Sequence, residues 1–221
     1  MQKHIFRVPV DVKHFKDTIE IGKPYTELLP FLPAEEKLKA IAQNGKVRYW
    51  GLSLNTFDPF PEAEYLMQQK FGNGFQLVLN ILNQKALLIL KKANENGYGV
   101  IARMPLQFGL LTGKFDRGAS FSANDHRKNR LTAHVIETTN NALEPVWQLC
   151  KKYGINKTSL ALSYVLSYDE VSTVIPGIRT VTHAENNTSG LVRLEEDDKK
   201  MIERLGESSF VPVMEMIQKQ G

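Results

Sequence analysis

The sequence has one cysteine and no apolar stretch approaching the ~18 residues that a membrane-spanning helix requires. A single thiol, Cys150, excludes an intrachain disulfide and agrees with a reducing compartment. It lies in an apolar helical pattern, where inert packing is expected rather than nucleophilic chemistry. The N-terminus, Met1-Gln-Lys-His-Ile-Phe-Arg7, lacks an apolar signal segment, so a cytoplasmic location without membrane association is expected. On that expectation the Asn-x-Ser/Thr triplets at Asn156, Asn186 and Asn187 are chance matches rather than glycosylation sites. No internal repeat or low-complexity segment stands out. A strong charge of one sign is lacking too: 28 basic residues against 24 acidic ones leave +4, spread along the chain. No nucleic-acid partner is expected from so mild an excess.

What is present suits one globular domain, since 221 residues with 42% hydrophobic and 24% charged content can bury a core. From residue 34 onward, helix-like and strand-like units alternate. A helix over Ala34 to Gln43, ended by Asn44-Gly45, leads to a strand over Val47 to Leu52. The turn Asp58-Pro59-Phe60-Pro61 opens a helix to about Phe71, followed by a strand over Phe75 to Leu79. A helix over Ala86 to Asn96 stops at Gly97 and hands over to a strand from Gly99 to Arg103. Such alternation predicts a parallel sheet with right-handed crossovers and strands that are apolar on both faces. A polar loop from Phe115 to Arg130 carries Arg117, Arg127, Lys128 and Arg130, and its length marks it as functional or mobile. Helices over Ile136 to Lys152 and Thr158 to Ser167 then precede a strand from Val171 to Ile175. A helix after Thr180 and another from Glu195 to Leu205 close the fold. Residues 1–33 form an atypical N-terminal segment before a domain over 34–221, with short strands possible at Ile5 to Val10 and Thr18 to Ile21.

Four stretches carry more than fold class. They are Lys46-Val-Arg-Tyr-Trp-Gly-Leu-Ser53, Phe75-Gln-Leu-Val-Leu-Asn-Ile-Leu-Asn-Gln84, Val100-Ile-Ala-Arg-Met-Pro-Leu-Gln-Phe-Gly-Leu-Leu-Thr-Gly-Lys-Phe115 and Val171-Ser-Thr-Val-Ile-Pro-Gly-Ile-Arg179. In this order they resemble the second half of the aldo/keto reductases, NADPH-dependent enzymes built on a (β/α)8 TIM barrel. The resemblance implies an α/β fold with strands five to eight of that barrel and their helices, an incomplete barrel. It places Ser53 and Gln76 on the nicotinamide carboxamide, which needs donors and acceptors together. Read alone, a Ser and a Gln at strand ends are more often loop hydrogen-bonders than ligands. Family members commonly follow the Ser with Asn; here Leu54 follows, and Asn55 is the nearest amide.

Arg103, followed by Met104, Pro105 and Leu106, stands where the family has an aromatic ring on the nicotinamide. A guanidinium can stack on a π-face, or it can reach solvent or a carboxylate instead. The run Gly109, Leu110, Leu111, Thr112, Gly113, Lys114 resembles the family's pyrophosphate loop, with backbone amides and a cation for the negative charge. Finally, Gly177, Ile178, Arg179, His183, Asn186 and Asn187 fall on the positions that the family uses for the adenosine 2′-phosphate and adenine at a helix N-terminus. A plainer reading makes Thr180 a helix cap and places Asn187 near the helix C-terminus.

The family's tetrad of Asp, Tyr, Lys and His lies on strands two to four. At roughly 30 residues per βα unit, four units need about 120 residues. Only 46 precede Val47. Lys23, Tyr25 and His14 have the right side chains but sit in no family motif, so no catalytic residue is assigned. Two readings follow: an NADPH-dependent reductase of an aldehyde or ketone, or a non-catalytic nucleotide-binding or interaction protein, a truncated reductase or one piece of a split barrel. No metal site is expected. Half a barrel exposes two sheet edges, which a homo-oligomer or pairing with a separate partner would cover.

Overall fold

The structure, a computed structural model, describes residues 48–220. The helix expected over Ala34 to Gln43, the possible strands before it, and Lys23, Tyr25 and His14 lie outside the described residues. Four strands form one parallel sheet in the order β1-β2-β3-β4: β1 Gly51–Ser53, β2 Gly74–Val78, β3 Gly99–Arg103 and β4 Thr173–Ile175. Helices α1 (Phe60–Gln68) and α2 (Leu87–Glu95) make the crossovers between β1, β2 and β3. After β3, a 3-10 segment (Gln107–Thr112), α3 (Ala133–Tyr153) and α4 (Lys157–Leu166) intervene before β4. Three helices follow: α5 (Val181–Thr188), α6 (Glu196–Gly206) and α7 (Val211–Lys219).

Local chemistry explains the boundaries. Gly51, Gly74 and Gly99 stand in register across the first three strands. A Cβ on Gly51 would collide with the Gly74 carbonyl, and one on Gly74 would lie 2.7 Å from Gly99 O, so the start of the sheet tolerates only glycine. Thr132 caps α3 by accepting from Val135 N, and Asn156 caps α4 by accepting from Ser159 N. Phe75, Leu77, Val100 and Ala102 pack with Leu160, Tyr164 and Ile202 in the core.

Three expectations need correction. Strands apolar on both faces describe the centre of β3, but β2 carries the half-buried Gln76 at its centre, and Gly51 and Ser53 of β1 and Thr173 and Ile175 of β4 are exposed. Among the described residues, these two strands have a neighbour on one side only. The last strand is also shorter than Val171 to Ile175. Ser172 bonds Val100 through both its amide and its hydroxyl, and Val171 is held in a turn by the Tyr168 carbonyl. Lastly, the fold does not close at Leu205. Phe210 and Pro212 open a further helix, α7, which buries Val213 and Ile217.

Candidate functional site

Because all four strands are parallel, their C-terminal ends lie on one side of the sheet, where βα loops of such folds gather ligands. Ser53, the last residue of β1, and Gln76, in the middle of β2, are register partners, and the Ser53 hydroxyl donates to Gln76 Oε1 at 3.2 Å. This leaves the Gln76 amide N–H groups and the Ser53 lone pairs for a ligand. Leu54, next in the chain, is buried. Asn55 is committed to the loop, its Oδ1 accepting from Phe57 N and Asp58 N at 2.9 and 3.0 Å.

Arg103 ends β3 and reaches back across the sheet. Its Nη2 donates to the Leu54 carbonyl at 3.0 Å and to Thr56 Oγ1 at 3.1 Å. Burial pushes its pKa down, opposed by the nearby Glu62 carboxylate. Glu62 is in turn pushed up by burial, against the Asn55 N–H that it accepts at 2.6 Å. The guanidinium thus ties the β1 loop to β3, with its Nε buried and without a partner among the described residues.

Beyond Arg103 the chain enters a turn of left-handed backbone, with φ of 53° at Met104, 43° at Gln107, 57° at Phe108 and 96° at Gly109. This turn forms one wall of a cleft of about 710 Å³, a size suited to a small-molecule ligand. Of the residues expected at a cofactor, Pro105, Leu106, Gly109, Thr112, Lys114, Gly177, Arg179, His183, Asn186 and Asn187 line it. Ser53, Gln76 and Arg103, on β1, β2 and β3, stand outside that lining. Leu110 is buried in the core, so only its backbone could serve a ligand, and Ile178 is exposed outside the cleft.

The far wall is the start of α5. Thr180 caps it by accepting from His183 N at 3.1 Å, while Arg179 N donates to His183 Nδ1 at 3.3 Å. That bond occupies Nδ1 as an acceptor and leaves Nε2 for a ligand. Asn187 is the penultimate residue of α5, as the plainer reading has it, but it is buried and donates to the Gly177 carbonyl at 3.3 Å, fixing the loop that leads into the helix. Arg179 and Lys114 are exposed and carry no ion pair among the described residues, so both cations are available to an anion.

The loop from Phe115 to Arg130 is built by its own side chains. Arg127 lies 4.9 Å over the Phe121 ring and pairs with Asp125, whose carboxyl is held well below its ordinary pKa by the hydrogen bonds from Arg127. Arg130 lies 5.3 Å over the Phe108 ring, and His126 and Arg127 join the cleft lining. Sequence reasoning did not single out His126, nor the buried amides Asn80, Asn83 and Gln107. The only signal for the last three was polar residues interrupting apolar runs.

The family model of the aldo/keto reductase family matches residues 14–207. The chain belongs to that family. L-galactose dehydrogenase of Arabidopsis thaliana is 30% identical over 193 residues, covering 84% of this chain and 54% of its own length. L-glyceraldehyde 3-phosphate reductase of Escherichia coli is 30% identical over 181 residues, covering 76% and 52%. The solved glycerol dehydrogenase of Gluconobacter oxydans superposes with a TM-score of 0.63 at 25% identity, covering 79% of this chain and 53% of that one. An aldo-keto reductase of Bacillus halodurans in its holo form, at 19% identity and a TM-score of 0.60, supports the fold. This aldo/keto reductase chain spans about half the length of the curated relatives it matches. Its four parallel strands correspond to part of a TIM barrel. No helix among the described residues is long and apolar enough to cross a membrane.

Proposed function

We propose that the cleft binds NADPH and that the chain serves the reduction of an aldehyde or ketone carbonyl. The observation that carries this reading is the order of chemistry across the strands and the loops after them. A hydroxyl–amide pair at Ser53 and Gln76 suits a carboxamide. Beside it runs a cleft whose opposite wall is a capped helix N-terminus with Arg179 exposed at it. Lys114 and the amides of the turn before it suit a pyrophosphate, and Arg179 with His183 suits a 2′-phosphate. Bound there, NADPH would supply the hydride. The reductase and dehydrogenase names of the relatives favour a reductase's cofactor site over that of an unrelated binding or interaction protein.

Protonation of the carbonyl oxygen needs an acid, and no described residue matches the family's tetrad. NADPH oxidation with a reactive aromatic aldehyde tests this point. The 221-residue chain should run at the no-enzyme rate, because general acid help is typically worth 10²–10⁴-fold. Turnover that vanished in Tyr25→Phe would instead make Tyr25 the acid, with Lys23 as its activator. Among the described residues the outer sides of β1 and β4 have no strand neighbour, which supports a homo-oligomer: they are complementary edges of one parallel sheet, so one copy's β1 can extend another's β4 in the same direction.

A further inference from the structure

Asn80 lies two residues beyond β2 and is fully buried. Its Oδ1 accepts from Leu82 N at 2.9 Å and Asn83 N at 2.8 Å, which closes the β2 loop on itself. Its Nδ2 points the other way, donating to the Met104 carbonyl at 3.0 Å and to Gln107 Oε1 at 2.8 Å. Asn83 then donates to the Thr56 carbonyl at 3.1 Å, and Arg103 returns to Thr56 Oγ1. Asn80, Asn83, Thr56, Arg103 and Met104 therefore form a closed polar ring that joins the loops after β1, β2 and β3.

The ring meets the chain where the backbone is least comfortable. Met104, Gln107 and Phe108 have positive φ without being glycine, a conformation that persists only where surrounding contacts impose it. Both Nδ2 bonds of Asn80 land inside this turn, and the six residues Met104 to Gly109 all line the cleft.

We propose that Asn80 is a positioning residue: its amide holds the Met104-to-Gly109 turn in its left-handed form and so sets the cleft wall before a ligand arrives. The consequence for a dinucleotide rests on the NADPH reading above. A preset wall spares the ligand the cost of ordering it.

Asn80→Asp keeps the shape and the Oδ1 acceptor but replaces the donor by a carboxylate oxygen facing Met104 O and Gln107 Oε1. Amide exchange, thermal midpoint and NADPH affinity are measured on the full chain. Exchange across residues 104–112 should quicken by about tenfold while α3 and α4 keep their protection, as expected for losing a buried donor. The NADPH Kd should rise by about tenfold, with the NADPH-to-NADH ratio unchanged because Arg179 and His183 are untouched. Gln107→Met removes one of the two acceptors and should move both readouts the same way by a smaller factor; it decides the matter if Asn80→Asp does not fold. Unchanged exchange across 104–112, quickening spread evenly over α3 and α4, or quickened exchange with an unchanged Kd overturns the proposal. A wild-type chain that binds neither NADPH nor NADH removes the cofactor reading, and the exchange result alone then decides the role of Asn80.

Discussion

Ser53 and Gln76 sit opposite each other in the parallel register of β1 and β2, with the Ser53 hydroxyl 3.2 Å from Gln76 Oε1 and donating to it. Neither is buried, so the pair adds little to folding. Ser53→Ala and Gln76→Leu should each weaken NADPH and NADH alike by about 2- to 12-fold, the range for one net hydrogen bond. Thermal midpoints should barely move. A lowered midpoint with unchanged affinity would make the pair a loop fastener instead.

Arg179 is exposed at the N-terminus of α5, beside His183. If it meets the 2′-phosphate, Arg179→Ala should cost about 1.5–3 kcal/mol of NADPH binding and leave NADH unchanged. Competition titrations with the two cofactors measure the difference. An equal loss for both would move Arg179 to another part of the ligand.

The Asp125–Arg127 pair gives the cleft's bordering loop a pH dependence. Hydrogen bonds from Arg127 hold the folded Asp125 carboxyl below its unfolded value of about 3.9. The unfolded chain therefore takes up the proton first. The pair's contribution is present above that value and is lost as pH falls toward the lowered one. Asp125→Asn should be less stable than wild type near neutral pH, and the gap should close as pH falls below 4. Thermal midpoints recorded across that range check it; a constant gap would assign the effect to shape rather than charge.

Ile175 at the end of β4, Ile178 in the loop after it and Val181 at the start of α5 are 45%, 59% and 76% exposed. Light scattering across a concentration series should show a dimer or larger species, and Ile178→Lys should shift it toward monomer. A monomer at all concentrations would refute self-association.

Much of this was legible because the pattern was local. Gly97 ends the turn after α2 and Gly99 opens β3, whose expected bounds match the structure, and Thr180 caps its helix as its side chain suggests. The β4 boundary was not legible, because Ser172 replaces a ladder position with a side-chain bond to a residue 72 positions away. α7 was missed because Pro212 resembles a stop, although a first-turn proline can start a helix. In the site, Lys114, Arg179 and His183 could be named from motifs. The roles of Asn80, Asn83 and Gln107 depend on which loops the sheet brings together, and no periodicity encodes that.

Equilibrium titration of the chain with NADPH and with NADH, followed by fluorescence, decides whether the cleft takes a nicotinamide dinucleotide. Saturable changes are expected with both, NADPH binding more tightly because Arg179 and His183 stand at the helix N-terminus. No saturable change with either cofactor up to millimolar concentration would contradict this reading of the cleft.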